Sequence, residues 1–142
     1  MNTSQTLQQM QQLRLQGMYF AYRSQLELPM DQQLEGHDLV AHLIQSEELN
    51  RANEKTAYYL KLAKFRLAAS VDQIDCNTAR NLTRQQLAVL AEGRYLQQGE
   101  NILITGATGC GKSFLACALG HQSCLLGRKT TYLFMKKKKK KV

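Results

Sequence analysis

Apolar residues recur at helical spacing through the first ninety or so positions, then give way to short β-rich runs. Leu7, Met10 and Leu13 lie three apart, and Met18 and Ala21 carry the apolar side past Gly17, which predicts a helix over residues 5–28. That helix ends before Pro29, because proline disfavours the α conformation in the residue that precedes it. Residues 29–37, with Gly36, form a connector. A longer helix is predicted over residues 38–69, opened by His37 or Asp38 and open to a break near Asn53. Leu39 and Leu43 are four apart, as are Val40 and Ile44, and Leu60, Ala63 and Leu67 continue the stripe. Glu47 precedes Arg51 by four positions, the favourable order for an exposed helical ion pair, worth about 0.2–0.5 kcal/mol. Ser70 to Asn81 is a polar connector. Thr83 and Gln86 have the spacing of a capping box, so a short helix carrying Leu87, Leu90 and Ala91 starts there, and Gly93 and Gly99 bracket a loop.

The pattern changes at residue 101. Asn101-Ile102-Leu103-Ile104-Thr105 reads as a strand buried on both faces of a parallel sheet. A glycine loop follows, then a helix from Lys112 to Leu126 ended by Gly127. Thr130-Thr131-Tyr132-Leu133-Phe134 reads as a second strand. Strand, loop, helix and strand make one βαβ unit. The expected fold class is therefore α+α/β, with an N-terminal helical domain over residues 1–94, a partial α/β core over 95–135, and a disordered poly-lysine tail over 136–142.

Charge alters this picture less than it first suggests. The formal net charge is +8, but Lys136 to Lys141 are consecutive, and without them 13 basic residues stand against 11 acidic ones. The folded body is only mildly basic, so a broad nucleic-acid footprint does not follow from composition alone. Cys76, Cys110, Cys117 and Cys124 form no C-x-x-C pair and have no His or Asp at ligand spacing, so they read as reduced thiols. Residues 1–15 are Gln-rich and lack an apolar signal core, and no apolar run approaches the roughly 18 residues of a membrane span. The expectation is a cytoplasmic protein with no membrane partner.

Gly106-Ala107-Thr108-Gly109-Cys110-Gly111-Lys112-Ser113 matches G-x-x-x-x-G-K-S, the Walker A pattern of a P-loop. Glycines admit backbone conformations closed to other residues, so successive N–H groups turn inward on a polyphosphate. The helix that follows offers its positive end to the same anion. Lys112 reaches the β- and γ-phosphates, the Ser113 hydroxyl ligates Mg2+, and Phe114 stands in the first helical turn beside them. The candidate cofactor-binding residues are thus Gly106 through Phe114, with Ser113 as the metal ligand and ATP with Mg2+ as the cofactors.

With the motif placed, the chain resembles the IstB-like family of AAA+ ATPases, the helper proteins encoded beside the transposase of bacterial insertion sequences and related to the replicative helicase loaders. The resemblance rests on Asn101 to Gly106 before the loop, on Ser113-Phe114-Leu115-Ala116-Cys117-Ala118-Leu119-Gly120-His121 after it, on Glu47, Arg51 and Asn53 as an E-x-x-x-R-x-N helix, and on Leu13-Arg14-Leu15-Gln16-Gly17-Met18. It covers residues 7 to 134. It implies ATP and DNA binding, self-assembly on DNA, and delivery of target DNA to the transposase, with hydrolysis as a timer. In it, Glu47 and Arg51 are either DNA or partner contacts, or a solvated helix face. His121 reads as a helix residue capping or packing near the sheet rather than as a catalytic base, and Gly120 is expected to allow close helix–strand packing. Arg14, Arg23, Lys55, Lys61, Lys64 and Arg66 form a modest DNA-facing set.

The chain also departs from that family. No strand ending in an acidic pair follows the loop, so a Walker B site is missing, as are the sensor residues and the arginine finger. Whether the chain is an enzyme is therefore open, and hydrolysis is not expected. The run from Met135 into six lysines predicts a truncated reading frame, accidental or programmed, with a DNA-binding basic tail as the other reading. Two functions remain besides the ATP-binding helper: an interaction or regulatory fragment whose helical domain binds the full-length helper, the transposase or DNA, and an inert gene product.

Overall fold

The computed structural model describes residues 1–76 and 81–135. The expected disorder of Lys136–Lys141 falls outside them, as does the end of the polar connector at 77–80. Internal contacts divide the chain into two compact units, Met1–Lys55 and Thr56–Val142.

The first unit is helical. Helix α1 (Thr3–Gln12) is opened by Asn2, whose Oδ1 accepts from the Gln5 amide at 2.9 Å while the Gln5 side chain accepts from the Asn2 amide at 3.1 Å. The single helix expected over 5–28 is instead two, with α2 spanning Gln16–Glu27. Arg14 takes the left-handed conformation at φ 59°, and the Leu15 and Arg14 amides donate back to Met10 and Gln11 at 2.8 and 3.0 Å. That is a helix-ending Schellman turn with arginine where glycine is usual. The break lets α1 fold back onto α2, which one continuous helix could not do. Helix α2 does stop before Pro29, as expected, and Met30–Gln32 forms a single 3-10 turn.

Helix α3 (Gly36–Ala63) runs without a break at Asn53 and stops six residues short of the expected Ala69, where Lys64 turns left-handed at φ 53°. Its Glu47 does not lie on a solvated face. Glu47 is buried at 7% exposure, and its two carboxylate oxygens accept from the Met18 amide and from Arg51 Nε, each at 3.0 Å. The reason lies in α2, whose N-cap residue Leu15 supplies no side-chain cap. A helix start leaves several N–H groups without partners, and a carboxylate is well placed there against the helix dipole. Glu47 fills that role from a neighbouring helix.

Burial pushes the Glu47 pKa up, but the Met18 amide, then the Arg51 guanidinium and the Gly17 amide, outweigh it and hold the group below its ordinary value. A depressed folded pKa contributes stability that is complete above the unfolded value of 4.5 and is lost as pH falls through the folded one. Glu47→Gln should therefore cost about 1–2 kcal/mol at neutral pH, since it removes charge-assisted hydrogen bonds. Urea unfolding of both proteins checks this: the gap between them should narrow progressively as pH falls below 4.5, and a gap of constant size would show that the charge is not what matters.

In the second unit, α4 (Arg84–Glu92) opens on the expected capping box, Thr83 and Gln86 exchanging bonds of 3.1 Å. Gly93 ends it in the left-handed conformation. The loop expected between Gly93 and Gly99 instead contains a short helix, α5 (Arg94–Gln97). Helix α6 (Lys112–Leu125) is the centre of the unit, with Cys117, Ala118, Leu119, Gly120, Ser123 and Cys124 buried. Gly127 at φ 80° closes it as expected, with the Arg128 amide bonded to Ser123 O at 2.9 Å. Phe65, Ile74, Phe114 and Tyr132 pack on a core of Ala69, Cys117 and Ala118. Gly120 is needed for a close approach, though not to a strand: a Cβ there would lie 2.5 Å from the Phe65 ring.

Among the described residues no strand forms. Segments 101–107 and 128–135 run without a ladder, and Leu103 and Leu133 are 89% and 82% exposed. A strand exists only as a member of a hydrogen-bonded sheet. The β-rich segments do not pair with each other, and the Tyr132 amide instead donates to Ala63 O at the end of α3, at 2.9 Å.

Candidate phosphate-binding site

The loop between residues 105 and 112 gets its shape from glycine. Gly109 and Gly111 sit at φ 81° and 90°, where a side chain is strained. Gly106 is closely approached from across the loop: a Cβ on it would come within 2.8 Å of Cys110 Sγ, so the exposed thiol would have to turn away. A turn closed by the Cys110 amide on Ala107 O, at 3.3 Å, holds the middle of the loop.

Gly111 is also the N-cap of α6 and offers no side chain to it. The first intrahelical bond is that of the Leu115 amide to Gly111 O at 3.0 Å. The amides of Lys112, Ser113 and Phe114 therefore have no intrahelical acceptor and form the positive end of the helix dipole. Lys112 folds back over the loop, its Nζ donating to Gly106 O at 2.6 Å. The result is three helix-start N–H groups without an intrahelical acceptor and one ammonium beside the loop, which suits an anion with several oxygens.

All nine expected site residues thus belong to one loop and one helical turn. Ala107, Thr108, Cys110 and Ser113 are exposed and Lys112 half-buried, while the Phe114 side chain turns into the core, leaving its amide as its contribution to the loop. The described residues hold no group of three or more His, Cys, Asp or Glu side chains able to bind a metal. The Ser113 hydroxyl is a single oxygen donor, which suits Mg2+ that takes its remaining ligands from phosphates and water.

Two clefts border the loop. One, of about 340 Å³, is lined by Gln73, Asp75, Leu82, Gly111, Lys112 and Phe114 among others. The other, of about 1060 Å³, runs past Asn81, Gln85 and Val89 to Ile102, Gly106 and Cys110. Gln73, Asp75 and Gln85 are site neighbours that sequence reasoning did not find. They lie far upstream of the loop, in a polar connector and on a helix start, and nothing in their own spacing points at it. His121 stands apart from the loop. It is half-buried on α6, and its Nδ1 has no hydrogen-bond partner among the described residues.

The sequence pattern of the IstB-like ATP-binding protein family matches residues 8–139. A protein of Pseudomonas fluorescens named for ATP binding in insertion sequence IS1162 is 38% identical over 134 residues, which is 94% of this chain and 58% of that one. Two proteins of Sinorhizobium fredii, y4uH and y4pL, both named for ATP binding in insertion sequences, are 35% and 32% identical over 92% and 89% of this chain, and 52% of each of them is covered. The chain thus spans about half the length of the curated relatives it matches.

Proposed function

Because the chain belongs to the IstB-like ATP-binding protein family, we propose that it binds the polyphosphate of Mg·ATP on the Gly106–Ser113 loop and acts as a helper of insertion-sequence transposition. The observation that carries this reading is the Lys112 ammonium held 2.6 Å from Gly106 O, above a glycine loop that runs into the uncapped start of α6. In the proposed complex Lys112 exchanges the Gly106 carbonyl for phosphate oxygens. The amides of Gly109 and of Gly111 to Ser113 would donate to the same phosphates, and the Ser113 hydroxyl would contribute to Mg2+. Bound Mg2+ would neutralise phosphate charge.

We assign this stretch of chain nucleotide binding through the loop. In this reading residues 95–135 are the partial nucleotide-binding core and residues 1–94 the helical part. Segments 101–105 and 130–134 become strands of a βαβ unit only where further strands pair with them. The partners are the transposase and DNA, with self-assembly on DNA, in the cytoplasm. No described helix is long and apolar enough to cross a membrane.

Competition binding against a fluorescent ATP analogue in Mg2+ tests the reading. ATP and ADP should compete, and AMP should be weaker by about 100-fold, because the loop reads the outer phosphates and each charge-assisted bond lost is worth about 1.5–3 kcal/mol. Equal competition by AMP, or no binding of the analogue, would remove the loop from the function.

A further inference from the structure

We propose that duplex DNA is held through its phosphate backbone by one face of the second unit, formed by Lys61, Lys64 and Arg66 at the end of α3 together with Arg128 and Lys129 after α6. The inference rests on the reading above that DNA is a partner, and it assigns that partner a place. The Tyr132 amide bonded to Ala63 O at 2.9 Å brings the two segments together. So does Arg66, whose guanidinium carbon lies 5.8 Å from the centre of the Phe134 ring. All five cations are exposed, and none of them is in an ion pair among the described residues.

Charge separates this face from the rest of the chain. Residues 1–55 carry four basic residues against seven acidic ones, whereas residues 56–135 carry nine against four. No Asp or Glu occurs between Lys55 and Val71, or anywhere after Glu100. The two segments that meet at the face are therefore free of carboxylates along their length. Cations that are not neutralised by the protein are the ones that displace counterions from DNA, and they do so without regard to base sequence. An arginine stacked on an aromatic ring keeps its donors directed outward. The first unit is poorly suited to the task. Its Arg23 pairs with Glu27 at 3.5 Å, Arg51 with buried Glu47, and Lys55 is engaged within the chain, which leaves Arg14 as a single exposed cation outside the ion pairs of the described residues. The basic set read from sequence thus divides, with Lys61, Lys64 and Arg66 kept, and with Arg128 and Lys129 joining them.

Fluorescence anisotropy with a mixed-sequence duplex, on the full chain, tests the assignment. The triple variant K61Q/K64Q/R66Q should bind roughly 100-fold more weakly at about 0.1 M salt, with the slope of log affinity against log salt reduced by about 3, close to 0.9 for each phosphate contact. R128Q/K129Q should lower the slope by about 2. A charge-matched control, R14Q/R23Q/R94Q, should lose far less. Equal losses in control and test variants would overturn the proposal, as would a triple variant that binds duplex normally. A face that holds anionic lipid vesicles or single-stranded RNA but no duplex would overturn it too. Mg·ATP binding by the triple variant, read alongside, should stay normal, so a failed nucleotide titration and a failed DNA assignment are told apart.

Discussion

Gly17→Ala should destabilise the N-terminal unit by about 2–4 kcal/mol, although alanine is the better helix former. Intrinsic propensity alone favours the substitution by about 1 kcal/mol. Packing opposes it. A Cβ on Gly17 would lie 2.5 Å from Ser46 O, 2.6 Å from Glu47 Cα and 2.8 Å from Asn50 Cβ. Two of these three atoms are backbone of α3, so no side-chain rotation relieves the clash, and the helices must separate. Overpacking of this kind costs about 1–3 kcal/mol. Separation also stretches the 3.0 Å bond from the Met18 amide to Glu47, leaving a carboxylate buried with fewer partners, at about 1–3 kcal/mol more. A urea titration followed by circular dichroism reads the effect as a lower midpoint. An unchanged or raised midpoint would mean that α2 and α3 do not meet at Gly17.

Lys112→Ala should leave the fold nearly as stable and remove most nucleotide affinity. The bond that Lys112 makes within the loop joins a lysine that is only half-buried to an exposed glycine carbonyl, so its loss costs about 0.5–1.5 kcal/mol at most. Towards a triphosphate the same ammonium makes charge-assisted bonds worth about 1.5–3 kcal/mol each, and two of them correspond to at least 100-fold in affinity. Lys112→Arg should restore little, because a planar fork does not replace a compact point charge on a flexible stem. Equilibrium titration with Mg·ATP measures both variants. Affinity in the alanine variant within about 3-fold of the unaltered chain would place the lysine away from the phosphates.

The features that could be read from sequence are those fixed by neighbouring residues. Thr83 and Gln86 cap α4 because their own backbone amides lie within reach, and Gly127 ends α6 because a left-handed residue is needed there. The Gly106–Ser113 loop takes its shape in the same local way: Gly109 and Gly111 stand in the left-handed region and Lys112 bonds Gly106 O, all within eight positions of one another. What escaped were relations between distant segments. Glu47 reads as a surface ion pair because Arg51 is its local neighbour, yet it is buried and also accepts from an amide 29 positions upstream. The break at Arg14 carried no glycine to announce it, and its cause is the packing of α1 on α2. Gly120 was matched to a strand when its neighbour is Phe65. Segments 101–105 and 130–134 have β-rich composition, but composition cannot provide the ladder partner that makes a strand.

The placement of the four thiols gives the molecule a reporter it did not need to be engineered with. Residues 1–55 contain no cysteine, Cys110 lies exposed on the phosphate loop, and Cys117 and Cys124 are 1% and 0% exposed on α6. An alkylating reagent therefore meets Cys110 at once, whereas Cys117 and Cys124 become reactive only when α6 opens, at a rate set by the free energy of that opening. Mass spectrometry of the labelled peptides would then time the opening of the second unit in the intact chain, with residues 1–55 silent throughout.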